Sequence, residues 1–423
     1  MKAISAKCLL LIGALSCMSC LWDYDTIDME MKQFPGTLEL ISGQFLQHSP
    51  EFYYWRIWDR EQKLQTADSL HWYDDIAVAY DKLGQSEDAI RIMTEVYQRD
   101  SLRYESLANL GTFYIHNGQY EKGLAFLEEA IKINPDAHFG RERYQILLVR
   151  YLLSISWDQQ KKLPLQTDVF RLFYGDKPHY IADYIQYMPP SGKRSYFAET
   201  AQQEQVPGYY EFVLADFRKR AKGQTEKVAW VLPEEEMQKA IAGISGMLRF
   251  GNAESPVLLD ALGSLLSRLN DEEESHRHLA IISFIRAGVL SGNPKIQAAY
   301  EEKILRLMKG MGAKANDPIS LYQASLQREL DTASKLKTEV QQNEIAWILA
   351  GKNPETEFAK AYYRSPKVKQ SDWAYALKHK SNKEWHRKIR QHRAVEIERI
   401  DWKPPKTEIS IDPKVVSYLD QRV

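Results

Sequence analysis

Two copies of one pattern of apolar, aromatic and glycine positions run from residue 70 to residue 135, offset by 34 residues. Tyr80 of the first copy falls on Tyr114 of the second, and Gly84 falls on Gly118. A fixed period of this length predicts stacked helix pairs. Each glycine stands where a pair turns, because a left-handed backbone costs glycine little. The predicted helices of the two copies lie near 70–83, 87–99, 104–117 and 120–133.

Helical patterns continue on both sides of these copies. A helix is predicted over 37–46, with Thr37 as its N-cap, and another over 52–64. This pair is expected to cover the N-terminal end of the stack, because an end repeat must not leave its apolar face open. An apolar stripe over 141–155 is expected to seal the other end.

The C-terminal half is helical in pattern too, and strand patterns are nearly absent. Leu262-Gly263 repeats part of the first-helix pattern, so a further helical hairpin is expected there. An extended tail over 400–410 and a short helical turn near 413–419 are expected at the end. The longer predicted helices lie near 207–220, 233–250, 257–269, 272–287, 295–309, 318–332, 335–349 and 354–363.

The second copy resembles the tetratricopeptide (TPR) consensus. The first copy keeps fewer of the consensus positions. The resemblance implies an all-α fold, a TPR-type solenoid of antiparallel helix pairs extended by further helical hairpins. It also implies a protein-binding role. The matching residues are Leu107, Leu110, Gly111, Tyr114, Gly118, Tyr120, Leu127, Ala130 and Pro135 in the second copy, and Tyr73, Tyr80, Gly84 and Ala89 in the first.

The family's groove positions can be carried onto both copies. The resulting surface has the carboxylates Asp74, Asp81 and Glu105 where carboxylate-clamping repeats have Lys, Asn and Arg. We therefore expect a basic or mixed partner segment and not a C-terminal carboxylate. Solvated helix faces are the alternative. The positions are His71, Asp74, Val78, Asp81, Glu105, Ala108, Thr112 and Ile115.

The first twenty residues have the pattern of an export signal, with a basic start and a short apolar core. Their ending resembles the lipobox of bacterial lipoproteins, in which a Cys is diacylated after cleavage. We prefer Cys20 as the lipidated residue, with Cys17 as the alternative; an ordinary cleaved signal is the other interpretation. All the cysteines lie in this stretch, so cleavage at Cys20 leaves no free thiol or disulfide.

The start of the mature chain is acidic and is expected to be an exposed tether. Early acidic residues after a lipidated Cys resemble surface-export signals of Bacteroidota lipoproteins. The string Trp22-Asp23-Tyr24-Asp25-Thr26 is similar to that of uncharacterised bacterial TPR lipoproteins, a resemblance that implies no activity.

Composition removes several classes of function. The chain has 423 residues and a formal net charge of −1, which gives no general attraction to nucleic acid. No stretch after residue 21 is apolar enough to span a membrane. His276 and His278 are spaced to opposite sides of a helix, and no metal, cofactor or nucleophile motif occurs. We therefore expect no metal site, no cofactor and no enzymatic activity.

Two segments are candidate recognition surfaces. A basic stretch near residues 378–393 suits an anionic glycolipid, peptidoglycan or an acidic partner, with a solvated helix as the alternative. The aromatic-rich segment 157–210 is expected to be a hinge, an irregular cap packed on the repeats, or a ligand wall. The last alternative rests on a resemblance to Bacteroidota glycan-binding outer-membrane lipoproteins, which also contain TPR helices and use aromatic residues for sugar stacking. The basic candidates are Lys378, Lys380, Arg387, Lys388, Arg390 and Arg393.

Taken together, the sequence favours a lipid-anchored protein–protein interaction scaffold at the bacterial cell envelope. The outer membrane is the preferred location, facing the periplasm or the surface, with an unidentified envelope protein as partner and no nucleic acid. The alternative is a glycan- or small-ligand-binding lipoprotein that uses 157–210. The predicted segments are a signal peptide 1–19, a lipidated tether 20–36, a TPR domain 37–156, a connector 157–210, a helical domain 211–365 and a basic tail 366–423.

Overall fold

The structure is a computed structural model that describes residues 21–23, 26, 29, 35–135, 140–156, 208–221, 231–269, 275–291, 294–309, 319–363 and 409–422. In these residues every element of regular structure is a helix, and neighbouring helices pack in pairs. The predicted all-α, helical-repeat class is therefore confirmed.

The N-terminal helices agree closely with the predicted ones, apart from the first. That helix ends at Ser42 and not at Leu46, because Gly43 adopts the left-handed conformation (φ 78°) and its N–H bonds to the carbonyl of Glu39. The helices are α1 Thr37–Ser42, α2 Pro50–Leu64, α3 Leu70–Lys82, α4 Ser86–Arg99, α5 Tyr104–His116, α6 Tyr120–Ile133 and α7 Arg141–Ser156.

The two predicted repeats are the helix pairs α3/α4 and α5/α6. Gly84 (φ 74°) and Gly118 (φ 76°) have left-handed backbones after the first helix of each pair, as predicted. The pairs also cross closely. A methyl group added at Gly123 would lie 2.7 Å from the carbonyl oxygen of Gly111, so the helix backbones nearly touch there. Small residues at this crossing are thus a packing requirement.

The C-terminal half contains one longer helix than predicted. The prediction of two helices over 318–332 and 335–349 is wrong, because α13 is continuous. The residues between them include no Gly or Pro, and the hydroxyl of Thr332 bonds to the carbonyl of Arg328 within the helix (2.9 Å). The helices are α8 Tyr209–Ala221, α9 Glu234–Phe250, α10 Pro256–Leu266, α11 Ser275–Leu290, α12 Pro294–Lys309, α13 Ile319–Leu349, α14 Pro354–Tyr362 and α15 Pro413–Asp420.

Contacts divide the chain into two compact units. The first contains the described residues of 144–245 and 254–326. Here α10 packs on α11, and Gly263 stands at the crossing, where an added methyl group would lie 2.6 Å from the ring of Phe284. This is the further helical hairpin that Leu262-Gly263 indicated.

The second unit contains the described residues of 15–143, 246–253 and 327–423. Its grouping differs from the sequence-based segments, since 327–363 and 409–422 join the N-terminal repeats, whereas 211–365 was expected to form one domain. The cause is an apolar cluster in which Ile348, Val415 and Leu419 pack with Phe52 and Trp55 of α2.

Candidate protein-binding groove

Most of the predicted groove positions are buried within the second unit. Among them His71 is exposed and Glu105 is half-buried. The remaining positions are closed to solvent, so a partner cannot reach them in this arrangement. They are Asp74, Val78, Asp81, Ala108, Thr112 and Ile115.

The buried groove carboxylates already have partners in the chain. Asp74 accepts a hydrogen bond from the guanidinium of Arg103 (2.7 Å), and Asp81 pairs with Nδ1 of His116 (2.8 Å) and the hydroxyl of Ser86 (2.9 Å). The fold itself therefore supplies the hydrogen-bond partners of these two carboxylates.

Both titrating neighbours of Asp74 are affected by it. Burial lowers the pKa of Arg103, but the hydrogen bond and charge of Asp74 oppose this, and the net shift is upward. The hydrogen bond to Asp74 likewise raises the pKa of His71. The exposed His71 side chain therefore lies beside the Asp74 carboxyl group, with Nδ1 3.7 Å from Oδ2.

Residues 21–23, here called the N-terminal segment, dock on the repeats. Leu21 is fully buried in the repeat core. The Trp22 ring meets the Tyr104 ring edge-on, with 5.3 Å between centroids. The exposed tether expected here is thus not what these residues form. Thr26 and Met29, also described, are buried as well.

Asn109 on α5 binds the backbone of this segment. Its Oδ1 accepts a hydrogen bond from the Trp22 N–H (2.8 Å), and its Nδ2 donates to the Trp22 carbonyl (2.9 Å). The N–H and C=O of one residue point to the same side in extended backbone, as in a hydrogen-bonded strand pair. Asn109, which is fully buried, therefore holds Trp22 much as a neighbouring strand would.

Arg56 on α2 binds the next residue. Its Nη1 donates to the Asp23 carboxylate (2.8 Å), and Asp23 also accepts the Thr26 N–H (3.0 Å). Arg56 is fully buried, and it also faces Asp75 (3.4 Å) and Glu355 (3.3 Å). A buried cation requires such partners, because an unpaired one is strongly disfavoured away from water.

Arg60 completes this charge network. Its Nε donates to Asp75 (2.7 Å), and its Nη atoms contact Asp59 and Glu355. Burial and the nearby Arg56 lower the pKa of Arg60, but Glu355 and Asp75 raise it, and the net shift is upward. Carboxylates of α3 and α14 thus meet both guanidiniums of α2.

The C-terminal end of the chain adds to the same unit. Ile409 and Ile411 pack against the repeat core, and the Asp412 N–H donates to Glu51 of α2 (3.2 Å). Segments far apart in sequence therefore cover apolar surface of α2 and the repeats.

Several predicted sites lie outside the described residues: Cys17, Cys20, the basic stretch 378–393 and nearly all of 157–210. In the part of the chain that is described, no helix is long and apolar enough to cross a membrane. No group of three or more His, Cys, Asp or Glu suited to a metal is found among the described residues either.

Sequence reasoning missed Asn109, Arg56 and the N-terminal segment. One signal was present: at the 34-residue offset Asn109 falls on Asp75. Both are polar residues that directly precede a core position, Ile76 in the first copy and Leu110 in the second, and both are buried. A buried polar residue needs a partner, so this shared position marked a binding site.

This architecture of paired helices defines an all-α helical-repeat protein. A family model described as tetratricopeptide repeat matches residues 82–149, so the chain contains tetratricopeptide repeats. No curated protein and no solved structure matches the chain significantly. Repeats of this type suggest a protein–protein interaction scaffold.

Proposed function

We propose that this chain is a membrane-anchored TPR lipoprotein that acts as a protein–protein interaction scaffold at the bacterial cell envelope, most simply at the outer membrane. The observation that carries the proposal is the docking of residues 21–23, where Asn109 holds a peptide segment by its backbone. A surface with this chemistry is suited to segments of another protein. Rigid stacked helices also lose little freedom on binding.

The anchor is supported by the order of residues along the chain. Cys20 follows an export-type sequence and directly precedes Leu21, which is fully buried on the repeats. Lipid on Cys20 would therefore hold the repeats close to the bilayer and raise the local concentration of membrane-associated partners. Several acyl chains on one residue give a stable attachment, whereas a single chain gives a marginal one.

Metabolic labelling with a fatty-acid probe tests the anchor. We expect the wild-type protein to take up the label, Cys17→Ala to retain it and Cys20→Ala to lose it. Loss of the label in Cys17→Ala alone would place the lipid on the other cysteine. Absence of label from all three proteins would refute the lipoprotein.

Affinity capture tests the scaffold. The tagged full-length protein, taken from detergent-solubilised envelopes, is expected to retain a stable protein partner that Cys20→Ala recovers in smaller amount. Recovery of no protein above a tag-only control would contradict the interaction role.

A further inference from the structure

We infer that the repeats carry a recognition site for an extended partner peptide in which an aromatic residue is followed directly by an acidic one, and that residues 21–23 occupy this site in cis. The inference rests on the proposed protein-binding role and specifies its ligand. The partner segment would displace the N-terminal segment and take over its contacts.

The first element of the site recognises backbone. Asn109 satisfies both the N–H and the carbonyl of Trp22, at 2.8 Å and 2.9 Å. Such a pair of hydrogen bonds is available from any residue except proline in an extended segment, since it uses no side-chain atom of the ligand. Asn109 therefore provides affinity and fixes the register of the bound segment.

The second element selects side chains. The Tyr104 ring receives the aromatic residue edge-on, and the Tyr104 hydroxyl donates to Glu142, which fixes the ring. Arg56 receives the acidic residue in a charge-assisted hydrogen bond of 2.8 Å. The order of the two side chains along the ligand is thus specified.

The charge network favours exchange of the ligand. Without Asp23, Arg56 still faces Asp75 and Glu355, so release of the segment leaves no uncompensated buried cation. A tethered segment acts at an effective concentration of about a millimolar or more. A free peptide is therefore expected to bind the wild-type protein poorly until the tethered copy is weakened.

The experiment uses full-length protein in detergent and a fluorescent, N-acetylated peptide with the sequence of residues 21–26. The double variant Trp22→Ala/Asp23→Ala weakens the tethered copy. We expect the peptide to bind this variant at least tenfold more tightly than wild type, as measured by fluorescence anisotropy. Adding Asn109→Ala should reduce the binding at least tenfold. A scrambled peptide is the control.

Failure of the peptide to bind the folded double variant would overturn the inference. Equal binding with and without Asn109→Ala would do so too. So would a dimer of the wild-type protein that becomes monomeric in the double variant, because the occupant of the site would then be a second copy of the chain. If the variants do not fold, hydrogen exchange on the wild type decides. Excess peptide should speed exchange at Trp22, and unchanged exchange refutes the site.

The outcomes are separable from those of the proposed function. A peptide that does not bind removes this site and leaves a partner captured through another surface intact. A peptide that binds while no envelope protein is captured keeps the site and removes the scaffold.

Discussion

A single buried amide, that of Asn109, joins the N-terminal segment to the repeats. The side chain is fully enclosed and bonds to a residue 87 positions earlier in the chain. Its removal leaves two backbone groups of Trp22 without their protein partners. Both bonds are only partly buried, so water can replace the lost partner and each bond contributes about 0.5–1.5 kcal/mol net.

Asn109→Ala is therefore expected to lower the free energy of unfolding by about 1–3 kcal/mol and to speed amide exchange at Trp22. Urea denaturation and hydrogen exchange by mass spectrometry measure the two effects. Asn134→Ala, at the C-terminal end of α6, is the matched control and should leave exchange at Trp22 unchanged. If amide exchange at Trp22 is as slow in Asn109→Ala as in the wild type, Asn109 does not hold the segment.

Tyr120 makes the free energy of unfolding of the repeats depend on pH in the alkaline range. Burial, with a smaller contribution from Glu121, raises its pKa to about 12. In an unfolded chain the pKa of tyrosine is about 10. The folded state keeps the phenol proton longer, so the stabilising contribution is complete below about pH 10 and is lost as the pH rises towards about 12.

Tyr120→Phe is expected to lose less stability than the wild type between about pH 9 and about pH 11.5, by roughly 1–3 kcal/mol. Urea denaturation at the two pH values gives the comparison. An equal loss in both proteins would show that the phenol of Tyr120 titrates normally.

For single residues, the sequence predicted the position on a helix better than it predicted whether the side chain is buried. The family register correctly found positions on the first helices, such as Asp74 and Asp81, but it treated them as groove surface. Both are buried and bonded to residues about one repeat further along the chain, Arg103 and His116. The family register gives helix positions and does not name such partners.

At the scale of elements, the tightest constraint is the crossing of α5 and α6. A methyl group on Gly123 would lie 2.6 Å from Cγ1 of Ile115 and 2.7 Å from the carbonyl oxygen of Gly111. A carbonyl in a helix cannot turn aside as a side chain can, so the helices must separate.

Gly123→Ala is expected to destabilise the protein by roughly 1–3 kcal/mol through this overpacking. Gly118→Ala is the comparison, because it meets no atom within 4 Å but strains a left-handed backbone by about 1 kcal/mol. Thermal unfolding ranks the two variants. A smaller loss in Gly123→Ala than in Gly118→Ala would contradict the close crossing.

Helices were the most predictable feature, because their signals are local. Glycine turns and the 34-residue period located α3 to α6 to within one residue at each end. The error in α13 has a local origin too. Thr332 and Ser334 are weak helix formers, yet neither they nor their neighbours prevent a helix from continuing.

At the scale of the whole molecule, the second unit is assembled from distant segments. The cluster of Phe52 and Trp55 with Ile348, Val415 and Leu419 joins residues about 300 positions apart or more. An apolar stripe predicts that one face of a helix is buried, but it does not show which segment of the chain packs against that face. Grouping by sequence order therefore placed 327–363 with its neighbours in the chain.

The central claim is that the repeats hold a protein partner at the membrane. Photo-crosslinking in intact cells tests it most directly, with a benzophenone amino acid at the exposed His71 and, as the control, at the exposed Lys337 of α13. We predict a discrete crosslinked protein from His71 in the membrane fraction and none from Lys337. The same products from both positions, or no product from either, would contradict the claim.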